Sequence, residues 1–160
     1  MSVTAKYKAR VDVTEILPDA GLGDATVLHN NYSSERTISA STTPPATMVA
    51  SFVEALIGGA GGIDMQALVG TNGAAVDLTG LKVQMIKINA PAANTGVITI
   101  VPGVANGLDL FGASSSIGIL PGQELTFYFN DAAEDISPTV AELDLAGTGT
   151  ETLELVVVAG

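Results

Sequence analysis

Between Leu81 and Asn130 no apolar run is longer than a strand. The stretch reads LKVQMIKINAPAANTGVITIVPGVANGLDLFGASSSIGILPGQELTFYFN. Four strand-sized runs stand out: Leu81 to Asn89, Gly96 to Val101, Gly107 to Phe111 and Glu124 to Asn130. Gly, Pro, Asn and Ser bound each of them, and these residues turn a chain instead of extending it. A helix needs a longer unbroken pattern of period 3.6, so this stretch predicts strands and turns.

The runs also predict how the strands are covered. Leu81, Val83 and Met85 share one face, after which Ile86 and Ile88 take the other. A slip of one residue flips every side chain, so a bulge near Met85 or coverage of both faces is expected. Gly96 to Val101 is nearly all apolar and β-branched, which again suits double coverage. Leu125, Phe127 and Phe129 alternate with Glu124, Thr126 and Tyr128, the plainest core strand in the chain. Val140 to Leu145 and Glu151 to Val158 flank Gly147-Thr148-Gly149-Thr150 and read as a hairpin.

Earlier in the chain, Val3 to Val13 alternates strictly. Val3, Ala5, Tyr7, Ala9, Val11 and Val13 fall on one side, and Thr4, Lys6, Lys8, Arg10 and Asp12 on the other. This is the pattern of a half-buried strand with a basic outer face. Pro18 and Gly21 break it. Ala25 to His29 reads as a short strand, and Tyr32 to Ser41 as a loop or exposed edge. Pro44-Pro45 excludes a central strand there. Thr47 to Ile57 reads as a strand or a short helix that periodicity does not decide, with the strand favoured because helix caps are lacking. Gly58 to Gly62 reads as a long sheet-to-sheet connection or a bulge, Ile63 to Val69 as a short strand or helical turn, and Thr71-Asn72-Gly73 as a hairpin turn. The fold expected is all-β: an antiparallel β-sandwich, jelly-roll-like, in a single domain over 1–160. Residues 1–20 would form an N-terminal strand or arm and 21–80 an irregular strand- and loop-rich part. The main sandwich strands would lie in 81–160.

Composition narrows the function. Six Lys and Arg against 17 Asp and Glu give a net charge of -11. Such a surface repels phosphate backbones and anionic lipid, so neither nucleic acid nor membrane is an expected partner. All six bases precede Ile88, three of them within the first ten residues. That asymmetry suits an N-terminal arm that docks on an acidic surface. Apolar residues make up 47% of the chain and charged residues 14%, which points to a core plus a protein–protein interface. No apolar run is long enough to span a bilayer, and the N-terminus lacks the apolar segment of a secretory signal.

Little in the sequence suggests chemistry. There is no cysteine, so thiolate metal sites and Cys nucleophiles are excluded. The single histidine, His29, has no GxSxG elbow to serve. Gly58 to Gly62 lacks the Lys and Ser/Thr of a phosphate loop. Asp131, Glu134 and Asp135 do not have the spacing of a calcium loop. Without tryptophan and with three tyrosines, Tyr7, Tyr32 and Tyr128, there is little to stack on a sugar ring. The expectation is a non-enzyme with no catalytic, metal or cofactor site.

The order of turns and strands carries a resemblance. It lies in DLTGLKVQMIKINAPAANTGVITIVPGVANGLDLFG, then GILPGQELTFYF, then the closing TETLELVVVAG. Over Asp77 to Gly160, about half the chain, this order is similar to that of small virion structural proteins of tailed bacteriophages. The nearest type is the capsid cement or decoration protein. The resemblance implies a homodimer or homotrimer on the capsid surface of a virion, assembled in the host cytoplasm. Its partners would be the major capsid protein and itself. The other readings are a tail or baseplate structural protein and a virion-surface carbohydrate-binding sandwich. The candidate contact surface is the first strand: Val3, Lys6, Tyr7, Lys8, Arg10 and Val11.

Overall fold

The computed structural model describes residues 3–12, 14–17, 25–28, 32–70, 72–129 and 133–160; for 14–17, 25–28 and 32 it describes the backbone course only. Among these residues there is no helix. The strands are β1 (Thr4–Val11), β2 (Thr14–Leu17), β3 (Ala25–Leu28), β4 (Tyr32–Ser39), β5 (Met48–Ala55), β6 (Ala60–Asp64) and β7 (Leu68–Val69). They continue with β8 (Ala75–Val76), β9 (Val83–Asn89), β10 (Ile98–Pro102), β11 (Ile117–Ile119), β12 (Glu124–Tyr128), β13 (Glu142–Ala146) and β14 (Thr152–Ala159). The chain divides into two compact units, Ala5–Thr37 and Met1–Thr4 with Ile38–Gly160.

The larger unit holds two four-stranded antiparallel sheets, ordered β12-β9-β14-β5 and β11-β10-β13-β6. The pairing is concentric. Of these eight strands the first pairs with the last (β5 with β14) and the second with the seventh (β6 with β13). The third pairs with the sixth (β9 with β12) and the fourth with the fifth (β10 with β11). Two further pairings, β14 with β9 and β13 with β10, close each sheet. This is the wrapping of a jelly roll, so the architecture is the β-sandwich expected from the sequence. Side chains from both sheets build one core, including Ile86, Ile88, Leu153, Leu155 and Val157 on one side and Ile63, Ile98, Ile100, Leu143 and Leu145 on the other. Each fully buried side chain of this kind contributes about 1.5–3 kcal/mol.

The phase change in Leu81 to Asn89 has a structural cause. β9 faces Val158 with Met85 and Ala159 with Val83, so Gln84 is the extra residue of a bulge. Inward residues therefore switch from Val83 to Ile86 and Ile88. Met85 is also buried, on the opposite face. In β10, Ile98 and Ile100 are fully buried and Thr99 and Val101 half-buried. The 47–57 run is a strand, β5, with eight consecutive partners on β14. β7 pairs antiparallel with β8, and Asn72 and Gly73 lie in the turn between them.

Three expectations are corrected. Gly107 to Phe111 is not a strand: it makes one parallel bridge, Gly107 with Glu142, and then turns, with Leu108 and Leu110 anchored in the core. The strands around Gly147–Thr150 do not form a hairpin. β13 and β14 belong to different sheets, so the loop is an arch between layers. Gly58 to Gly62 is not a long connection. Gly58 and Gly59 alone make the turn, at φ 61 and 82, and Ile57 bridges Ala60 across it. Gly61 and Gly62 are already inside β6. Tyr32 to Ser41 takes the exposed-edge form of its two readings: β4 pairs with β1 alone, and 33–37 are exposed. β12 packs Leu125 and Phe127 against the core as expected, but it lies at a sheet edge and its burial does not alternate, Leu125 to Tyr128 all being half-buried.

Candidate interaction surface

The smaller unit is a two-stranded ribbon. β1 pairs with β4, and inside them β2 pairs antiparallel with β3, from Thr14 opposite Leu28 to Leu17 opposite Ala25. Among its described side chains none is buried. Ala5 and Tyr7 are half-buried; Lys6, Lys8, Ala9, Arg10 and Val11 are exposed. The alternation read from the sequence therefore holds at the start of β1 and fades toward Val11, 60% exposed. Val13 lies outside the described residues. A two-stranded ribbon is marginal in water unless its apolar side chains are covered.

The basic face of β1 is partly neutralised locally. Lys6 Nζ lies 2.7 Å from Glu35 on β4, and Lys8 Nζ 3.7 Å from the same carboxylate. Arg10 pairs with Asp12. All of these groups are roughly half-exposed, so each pair contributes about 0–1 kcal/mol. Of the six candidate contact residues, Lys6, Tyr7, Lys8, Arg10 and Val11 lie in this unit. Val3 lies in the larger unit and is buried, as is Ile38. The structure thus places five of them on one strand and sets Val3 apart.

The larger unit offers a second surface that sequence reading passed over. On the outward face of β12-β9-β14-β5, Lys87 Nζ meets Glu124 at 3.0 Å, and Asn89 Nδ2 donates to Glu154 at 2.8 Å. These four side chains, with Ser51, Val53 and Val156, line a shallow hollow of about 460 Å³. Val49 and Val53 are both exposed on β5, the edge strand. Met48 to Ala55 reads MVASFVEA, with apolar residues on both faces, so its pattern singled out no outer face. Without the strand order, nothing marked β5 as an edge.

One end of this unit is held by a buried carboxylate. Glu151, 2% exposed, accepts from Thr148 Oγ1 at 2.6 Å, from the Gly149 amide at 2.7 Å and from Thr95 Oγ1 at 3.3 Å. The Thr148 hydroxyl does most to hold this carboxyl down, to a pKa of about 2. Backbone amides and Thr95 add to it, and burial opposes them. Gly59 exchanges hydrogen bonds with the same arch, donating to Gly149 O and accepting from Gly147 N, each at 2.7 Å. Asn94 caps Thr152 in both directions, at 2.8 and 2.9 Å. Three loops from both sheets are thus tied together.

The candidates weighed and set aside in the sequence fall as follows. His29 and Asp131 lie outside the described residues. Glu134 and Asp135 are exposed, and Asp135 reaches Lys82 at 3.9 Å. Among the described residues no three His, Cys, Asp or Glu gather as a metal site would require. Tyr7 and Tyr128 are half-buried, and the side chain of Tyr32 lies outside the description. The described residues present an exposed edge strand, an exposed ribbon and a clamped loop cluster. The chain matches no protein-family model, no curated protein and no solved structure.

Proposed function

We propose that this protein is a non-enzymatic virion structural protein of the cement or decoration type. In this reading it binds the outer face of a phage capsid and bridges neighbouring major capsid proteins, stabilising the head. The observation that carries the reading is the ribbon of Ala5–Thr37, none of whose described side chains is buried. An exposed ribbon gains stability when a partner covers it, and an unpaired strand edge is a natural template for such a partner. A cement protein uses such an element to cross a seam between subunits. The jelly roll supplies the stiff body and does not by itself choose the function, since lectins, cupins and capsid domains share it.

The test is add-back. Purified protein is mixed with capsid shells lacking it, and bound protein is measured by sedimentation. Full-length protein should co-sediment and raise the temperature at which shells rupture. A chain lacking residues 1–14 should lose most of that binding while its sandwich still melts cooperatively. Undiminished binding of the truncated chain would remove the ribbon from the interface. Failure of the full chain to bind shells, with binding to tails instead, would favour the tail or baseplate reading.

A further inference from the structure

The acids of this protein are unevenly placed in space. From residue 38 to 160 they outnumber the bases twelve to two. Yet four loops that meet at one end of the sandwich carry almost none of that charge. These are the turn at Ile57–Ala60, the β9–β10 loop over 90–97, the β11–β12 turn over 120–123 and the arch over 147–151. The antiparallel order of the strands brings all four to the same end. Hydrogen bonds join them: Gly59 to Gly149 and Gly147, Thr95 to Glu151, and Gly122 and Gln123 to Ala90. The one ionisable side chain in these loops is Glu151, and it is buried. The nearest surface charges, Glu54, Lys87, Glu124 and Glu154, stand on the strands behind.

The same end displays apolar side chains. Ile57 is 84% exposed, Leu120 52% and Val97 42%. Val97 and Leu120 are the next residues in register after the Ile98–Ile119 pair, so they lie side by side. At this net charge, most faces of two copies repel on approach. This end is where they meet without like charges, and its geometry is already fixed, so little ordering entropy is lost on contact. The four loops are at the lower end of the ~20–30 residues that one side of a standard interface uses.

We infer that copies of this chain associate with one another through this charge-free loop end, with Ile57, Val97 and Leu120 at the contact. The inference gives a surface to the homodimer or homotrimer that the resemblance implies and does not rest on the capsid, so the two are tested apart. Light scattering on the full chain measures the assembly. Wild type should be larger than a monomer, and added salt should strengthen it by screening the acidic bodies. Ile57→Glu and Leu120→Glu should each weaken self-association by about tenfold or more. Val104→Glu, on the 98% exposed Val104 at the opposite end, should leave it unchanged. Thermal melts establish that each variant is folded.

A monomeric wild type would overturn the inference, and so would loop-end variants that assemble normally. Association that dissolves as salt rises would overturn it too, and would point instead to the basic ribbon on an acidic neighbour. Loss of shell binding by the loop-end variants with assembly intact would reassign this end to the capsid. Normal assembly without any shell binding would sink the capsid reading and leave this one standing.

Discussion

Glu151 keeps its charge while buried, and its hydrogen-bond partners on the arch and on Thr95 are all neutral. Its carboxyl is depressed to about 2 from an ordinary 4.5. A depressed acid stabilises the fold fully above its unfolded value, and that contribution is lost as pH falls from about 4.5 toward 2. Asp77, lowered by the hydroxyl and amide of Thr79, adds to the same trend; Glu54, raised by partial burial, opposes it. Glu151→Gln puts an NH₂ donor among hydrogen-bond donors, so it should lower Tm at neutral pH and flatten the acid limb of a Tm-against-pH curve. An unchanged acid limb would place that pH dependence elsewhere. A second residue-scale contrast lies in the two-glycine turn. Gly59 has φ 82, and a Cβ there would stand 2.7 Å from the Gly147 carbonyl oxygen. Gly58, at φ 61, has open space around it. Chemical denaturation should therefore show Gly59→Ala costing about 1–3 kcal/mol. Gly58→Asn should stay within about 0.5 kcal/mol, because asparagine tolerates this backbone region.

The elements differ in what holds them. β14 sits between β9 and β5, with Leu153, Leu155 and Val157 fully inward. Leu155→Ala should cost about 2–5 kcal/mol by equilibrium unfolding. Lys6→Ala in β1 removes only exposed ion pairing and should cost under ~1 kcal/mol. The same contrast shows what a sequence can disclose. Local features were legible: the alternation at the start of β1, the core-facing Leu125 and Phe127 of β12, the slip in β9 that proved to be a bulge, and the strand character of Met48 to Ala55. Sheet membership was not, because it is decided by partners far away in the chain. The hairpin expected around Gly147–Thr150 has the right local chemistry. Its two strands nevertheless pair with β10 and β6, and with β9 and β5. Leu108, Leu110 and Phe111 read as strand because a core-anchored turn shows the same apolar content. Of the contact surfaces, the basic strand was visible in composition. The Glu151 clamp was not: its partners come from two loops more than fifty residues apart.

At the scale of the whole molecule, the two units should respond differently to local opening. β9 and β14 carry fully buried side chains on central strands. The described ribbon carries none. Amide hydrogen exchange should therefore be slowest in β9 and β14 and much faster in β1 and β4. Equal protection in both would mean that the ribbon shares the cooperative core. On shells, if the capsid reading holds, protection of β1 and β4 should rise while that of β9 and β14 stays as it was.

The concentric pairing of the sandwich also governs how it meets tension. Its first and last strands are neighbours, and the Thr47 amide donates to the Ala159 carbonyl at 2.8 Å. A force that pulls Thr47 and Gly160 apart would open β5 from β14 like a zipper, one residue pair at a time. A force running along the strands would have to shear all eight pairs at once. The body is thus mechanically anisotropic, weak across its seam and strong along its length.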